Sequence, residues 1–332
     1  MRDQLPLFDL AAPEPPSPYA ARLAAMHDEA RGLAARLPDG IRFGTSSWSF
    51  PGWRGLVYGD ARSPASLARE GLREYARHPL LTTVGVDRSY YAPIPLDDLR
   101  AYADQLPPGF RCCFKAPAAV TALALGAPGR QVANPDFLSV DRLVTDLLQP
   151  CAVACAAQTG PIVLEFPPFP RQQRLEPATF LDRLDGFLSA LPRDFEYAVE
   201  LRDRRLLTAA YRRLIASHQV AHTFNYWSAM PGPAEQATVV PPEEGPFTVI
   251  RLLLRPGTWY EDQRERFAPF DALVEPDEAM RADVVTVTRR ALSRGRRVFV
   301  LVNNKAEGSS PLTIMALARR IADDHTPVAS AS

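Results

Sequence analysis

From residue 41 onward, short apolar, β-type runs alternate with longer stretches whose apolar positions recur every three or four residues. The runs are 41–45 (IRFGT), 82–87, 110–115, 161–166, 195–201, 219–224, 247–253 and 297–303. Their length and their turn-forming flanks predict strands. Between most of them lie 65–77, 95–105, 138–156, 177–190, 205–217 and 277–294, with 311–323 closing, all compatible with helix. Strands alternating with helices require parallel crossovers. Eight such strands favour an α/β fold of the (β/α)8 TIM-barrel type over an open doubly wound sheet. No G-x-G-x-x-G follows the first strand, which counts further against a dinucleotide fold. Residues 225–246 show no helical pattern and predict an irregular connection.

Ahead of the barrel, Leu23, Met26, Ala30, Leu33 and Leu37 predict a short amphipathic helix over 19–37, closed by Pro38-Asp39-Gly40. Residues 9–18 are rich in Pro and Ala and predict an extended tether. The expected organisation is an N-terminal arm and helix (1–40), a barrel (41–325) and a disordered tail (326–332). The N-terminus shows no basic segment leading into an apolar stretch, and no apolar run approaches the ~18 residues of a membrane span. A cytoplasmic protein is expected.

Charge narrows the choice of partners. The 332 residues carry 38 basic and 38 acidic side chains, so the formal net charge is zero. A neutral body is not a polyanion-coating protein, and any nucleic-acid contact would be a local patch. Only two of the 38 basic residues are lysines, Lys115 and Lys305. Where arginine serves almost everywhere, a lysine suggests a compact point charge or an amine able to lose its proton. The 4 cysteines make no disulfide scaffold in a chain of this length. Cys112 and Cys113 point to opposite faces of a strand, and Cys151 and Cys155 lie four apart on a helix. All four read as small buried hydrophobes, with zinc binding the less favoured reading. Of 5 histidines only His222 falls in a strand, so no multi-histidine metal cluster is expected. The sequence requires no cofactor, and one carboxylate-bound divalent cation remains compatible with it.

In a barrel the strand ends and the loops after them build the site. Those positions hold Thr45 with Trp48, Asp87 with Tyr90 and Tyr91, Lys115, Glu165, Glu200 with Arg202, Asn225, Arg251, and Asn303-Asn304-Lys305. Glu200 and Arg202 share one face of their strand. They read either as a structural ion pair or as an anion clamp beside an orienting or basic carboxylate. Arg251, in the run Val249-Ile250-Arg251-Leu252, either leaves the interior at the mouth or needs a buried partner. Glu165 and Glu200 end sequence-adjacent strands, a placement open to glycoside hydrolysis. Trp48, Phe50, Trp53 and Tyr58 form an aromatic loop that either stacks on a ligand or packs on the rim.

Several of these stretches together resemble one family. GTSSWSFPGWRGLVY (44–58), VGVDRSYYAPIP (84–95), FRCCFKAP (110–117), GPIVLEFPP (160–168), YAVELRD (197–203), VIRLL (249–253) and VLVNNKAEGSSP (300–311) are similar to the YecE-like family, domain of unknown function seventy-two. The resemblance runs from about 41 to 323 and implies a TIM-type barrel without an established activity. Gly44, Thr45, Trp48, Lys115, Glu200-Leu201-Arg202, Arg251 and Asn303-Asn304 match the family pattern. Ser47 stands for a usual Gly, Gly85 for Glu, Asp87 for Asn, Tyr90-Tyr91 for Phe-Tyr, and Glu165 for Gln. These departures suggest a divergent member with a different substrate. Separately, Gln4, Leu5, Leu7 and Phe8 resemble the short peptide by which bacterial repair proteins dock on the sliding clamp; an arm folded onto its own barrel is the other reading.

The expectation is therefore an enzyme, a hydrolase or lyase, acting on a phosphorylated or carboxylated substrate at the barrel mouth. Lys115, Glu200 and Asp87 are its candidate catalytic groups, with Lys115 or Glu200 moving the proton. Trp48, Tyr91, Arg202, Arg251, Asn303, Asn304 and Lys305 are its candidate ligand-binding groups. One alternative is a non-catalytic DNA-repair accessory that binds nucleic acid at the rim and the clamp through its arm. A second is a carbohydrate hydrolase using Glu165 and Glu200.

Overall fold

The computed structural model describes residues 17–127, 130–169 and 174–325. The expectations for Gln4, Leu5, Leu7, Phe8 and the tail 326–332 lie outside the described residues. The barrel strands are β1 (Ile41–Thr45), β2 (Thr83–Val86), β3 (Arg111–Lys115), β4 (Thr159–Phe166), β5 (Tyr197–Leu201), β6 (Ala221–Tyr226), β7 (Thr248–Leu252) and β8 (Val298–Val302). All pair in parallel, in the order β1-β8-β7-β6-β5-β4-β3-β2. Helices surround them, so the fold is a TIM-type α/β barrel.

Alternation along the strands divides the core into two parts. Residues facing the helices, such as Val84, Phe114, Leu164, Val199 and Ile250, join one large cluster that includes Tyr75, Phe180 and Ile314. Cys113, Ala198, Ala221, Phe247, Val249, Phe299 and Leu301 form a smaller cluster. These are the inward positions of the lower strands, and they plug the interior as the fold requires. Continuing each inward row by two residues reaches Lys115, Glu200 and Arg251. The apolar plug therefore carries the charged rim directly above it. Cys112 and Cys113 fall on opposite sides of this division, and all four cysteines are buried.

Closure is thinnest between β1 and β2. There the ladder reduces to one bridge, Phe43 to Leu81, and the bond from the Thr82 amide to the Phe43 carbonyl at 3.0 Å. The backbones approach so closely that a Cβ on Gly44 would lie 2.1 Å from the Thr83 carbonyl oxygen. Glycine is the only residue that fits.

The N-terminal helix runs Pro18–Ala34, capped by Ser17, whose Oγ accepts from the Ala20 amide at 3.2 Å. It buries Ala30 and Leu33, and Glu29 pairs with Arg319 of the closing helix Ser310–His325 at 2.5 Å. Several elements depart from the sequence reading, among them two longer helices. The stretch 225–246 holds a helix, Pro233–Val239, started by proline at its first turn and too short to show a periodic stripe. A second helix, Tyr260–Phe267, buries only Gln263 and Phe267, so no apolar face announces it. Among the described residues no helix is long and apolar enough to cross a membrane.

Candidate functional site

Six charged side chains from five strand ends meet at the C-terminal mouth. Arg251 is the hub. Its Nη1 donates to Glu200 Oε2 at 2.6 Å and to Glu165 Oε2 at 3.3 Å. Its Nη2 donates to both oxygens of Asp87, at 2.9 and 3.0 Å. Arg202 spans the same two glutamates, through Nε to Glu200 Oε1 at 2.9 Å and Nη2 to Glu165 Oε2 at 2.5 Å. Lys115 Nζ reaches Glu165 Oε2 at 2.8 Å. Lys115, Arg202 and Arg251 thus balance Asp87, Glu165 and Glu200, and the network is neutral. Its charges are tolerated in the interior because nearly every one is paired and hydrogen-bonded.

The network sets the protonation of its members. Burial alone would raise the Glu200 carboxyl, but the attraction of Arg251 and Arg202 outweighs it and holds the group well below the usual glutamate range. Burial lowers the Lys115 ammonium below its ordinary 10.5; Arg251 and Arg202 add to this, and Glu165 and Asp87 oppose it. Arg251 moves the other way, since three carboxylates outweigh its burial and fix the charge. Of the three cations, Lys115 is the one whose proton the surroundings loosen.

Aromatic rings cover three cations. Tyr90 lies under Lys115 Nζ, 3.5 Å to the ring centroid, and Trp227 under the Arg202 guanidinium at 4.2 Å. Tyr260 holds Lys305 Nζ at 4.1 Å. Lys305 differs from the others: it is 7% exposed, yet among the described residues no carboxylate pairs with it. The neutral network therefore has an uncompensated lysine for a neighbour on the rim.

The side of the network towards β1 and β2 is open. Asp87 has 33% of its side chain exposed, against 9% or less for Lys115, Glu165 and Glu200. Asp87 also lines a cleft of about 510 Å³ between the segments that follow β1 and β2. Among the described residues no group of three or more His, Cys, Asp or Glu side chains could hold a metal ion.

A model for the family described as "Protein of unknown function DUF72" matches residues 42–332. The chain belongs to this family. A DUF72 protein from Enterococcus faecalis V583 shares the fold with a TM-score of 0.58 and 17% identity, over 85% of this chain and 95% of its own. A DUF72 protein from Thermotoga maritima MSB8 does so with a TM-score of 0.57 and 16% identity, over 85% and 99%. No curated protein matches the chain.

In this DUF72 barrel the candidate residues separate into two groups. Asp87, Lys115, Glu200, Arg202 and Arg251 converge, together with Glu165, and Tyr91 and Lys305 stand on the rim around them. Asn304 instead builds the frame, and Trp48 both ties down its loop and lines the cleft. Trp48 is buried and donates Nε1 to the Leu67 carbonyl at 3.0 Å. Asn304 Oδ1 accepts from Trp53 Nε1 at 3.2 Å and from the Ser310 amide at 2.8 Å. Asn303 caps the short turn 304–306 by accepting from the Lys305 amide at 3.1 Å. Arg202 and Arg251 are committed to carboxylates and are not a free anion clamp. Glu200 is wholly buried and pairs with both arginines. Glu165 and Glu200, the pair of the glycosidase alternative, converge on the same two arginines. The sequence reading missed Trp227 and Tyr260 as covers for Arg202 and Lys305. Their signal was an aromatic placed just beyond a strand end, Trp227 directly after β6 and Tyr260 in the connection after β7.

Proposed function

We propose that the barrel mouth is an active site for an organic anion, with Lys115 as the group that moves a proton. The observation that carries this reading is the contrast between the two lysines. Lys115 is paired with Glu165, covered by Tyr90 and loosened in its hold on a proton by burial. Lys305 is buried without a counter-charge, a costly state that an anionic ligand group would relieve. The substrate class is therefore phosphorylated or carboxylated, and Lys305 receives the anionic group. Arg202, Arg251, Glu165 and Glu200 act through Lys115 and Asp87 by fixing their positions. A base whose proton affinity is lowered towards neutrality suits proton abstraction or return at a substrate atom.

Thermal unfolding at low ionic strength tests the anion requirement, with inorganic phosphate, pyrophosphate and citrate as probes. At least one probe is expected to raise the melting temperature of the native chain, in the manner of ligand linkage. Lys305→Met is expected to abolish most of that shift. An equal shift in the variant, or none in the native chain, would contradict the reading.

A further inference from the structure

The cleft between the ends of β1 and β2 is built for hydroxyl groups. Its lining includes Ser46, Ser47 and Ser49 from one wall, and Asp87, Tyr91 and Tyr102 from the other. Ser46 is 4% exposed, and its Oγ has no hydrogen-bond partner among the described residues. A buried hydroxyl left unpaired costs free energy that a ligand group would recover. Asp87 spends one lone pair of each oxygen on Arg251, and the remaining pairs are free to accept. Tyr91 stands 81% exposed and offers an open ring face.

Gly85 lets the end of β1 pack closely against β2 at the base of the cleft. This inward position of β2 has no side chain, and a Cβ there would already meet the Ser46 Cα at 3.2 Å. The charged groups of the lining are Arg69 and Arg88 against Asp87 and Asp98, so they balance in number, and Asp98 pairs with Arg88 at 2.7 Å. A neutral cleft with rotatable hydroxyls, a carboxylate and a ring face matches a sugar, whose hydroxyls donate to Asp87 and accept from serine. A flat nucleobase would instead demand fixed donors and acceptors.

Lys305 follows β8, on the same arc of the rim as the cleft. The strands β8, β1 and β2 are consecutive around the barrel, and Trp53 of the β1 loop bonds to Asn304, the residue before Lys305. We propose that the cleft binds the hydroxylated body of a sugar whose anionic group is received at Lys305. This rests on the reading of the mouth as an anion site and narrows its substrate to sugar phosphates or sugar acids.

Calorimetry on the full chain separates the two claims. The probes are inorganic phosphate, free pentoses and hexoses, their phosphates, and hexuronates. At least one sugar phosphate or uronate is expected to bind about tenfold or more tightly than inorganic phosphate. Phosphates against uronates tells which anionic group is preferred. Ser46→Ala and Tyr91→Ala are each expected to weaken the sugar ligand by about three- to tenfold and to leave inorganic phosphate unchanged. Ser46→Ala should also unfold at a slightly higher temperature when free, because an unpaired hydroxyl has been removed. If no sugar ligand exceeds phosphate, or both variants bind it as the native chain does, the cleft proposal falls and the anion site stands. If phosphate does not bind while a neutral sugar does, and Ser46→Ala weakens it, the anion site falls and the cleft stands as a neutral sugar site.

Discussion

Arg251→Met is expected to destabilise the protein by about 3–5 kcal/mol at neutral pH, the cost of removing one partner from a buried ion network. Glu200 is the reason the loss is large. It is wholly buried, and without Arg251 its Oε2 faces a methionine while only Oε1 keeps a partner, Arg202 at 2.9 Å. Asp87 loses both of its bonds as well, but with a third of its side chain exposed it recovers much of them in water. The penalty also has a pH signature. Native Glu200 is held below the usual glutamate range by Arg251 and Arg202, so its stabilising contribution is present above 4.5 and is lost as pH falls towards the depressed native value. In Arg251→Met that depression is smaller and the variant has less to lose. The difference between native chain and variant should therefore narrow on acidification from neutrality to about pH 3. Urea denaturation across that range reads both effects, and a variant within ~0.5 kcal/mol of the native chain at neutral pH would show that the network is not what holds the mouth.

Lys115→Arg is expected to separate charge from proton transfer. The guanidinium keeps a cation beside Glu165 but does not release a proton at neutral pH. Glu165 also retains Arg202 at 2.5 Å and Arg251 at 3.3 Å, so stability should change little. Ligand affinity, which rests on Lys305, should change little too. Turnover of a substrate the mouth accepts should fall by about 10²–10⁴-fold, the usual contribution of a positioned acid or base. Full turnover in Lys115→Arg would remove the amine from the mechanism and make its placement a matter of charge alone.

The fold was legible because each barrel strand is a compact β-type run bounded by turn-forming residues, and each major helix carries an apolar stripe. Where those signals fail, the reading failed. Pro233–Val239 is two turns long, and Tyr260–Phe267 is charged on nearly every side. The site was legible as a set of strand-end residues, because period-two alternation carries polar side chains up from the apolar plug to the rim. Beyond the Glu200–Arg202 pair, their partners were not. Arg251 bonds to Asp87 across 164 residues of sequence, and nothing in the local pattern around either residue encodes that distance. Arg202 and Arg251 consequently read as free anion ligands when carboxylates already occupy them. Asn304 was misplaced for a related reason: a polar residue at a rim looks the same in sequence whether it faces the ligand or ties down a loop.

Two lysines in 332 residues also make the decisive observation a simple one. With ¹⁵N-labelled lysine, the side-chain NMR spectrum should hold two signals, assigned by Lys115→Arg and Lys305→Met. The signal of Lys115 is expected to titrate below the ordinary 10.5, and the signal of Lys305 is expected to move when inorganic phosphate or a sugar phosphate is added. A Lys115 signal that titrates at or above 10.5, together with a Lys305 signal indifferent to every anion, would contradict an anion-dependent active site at this mouth.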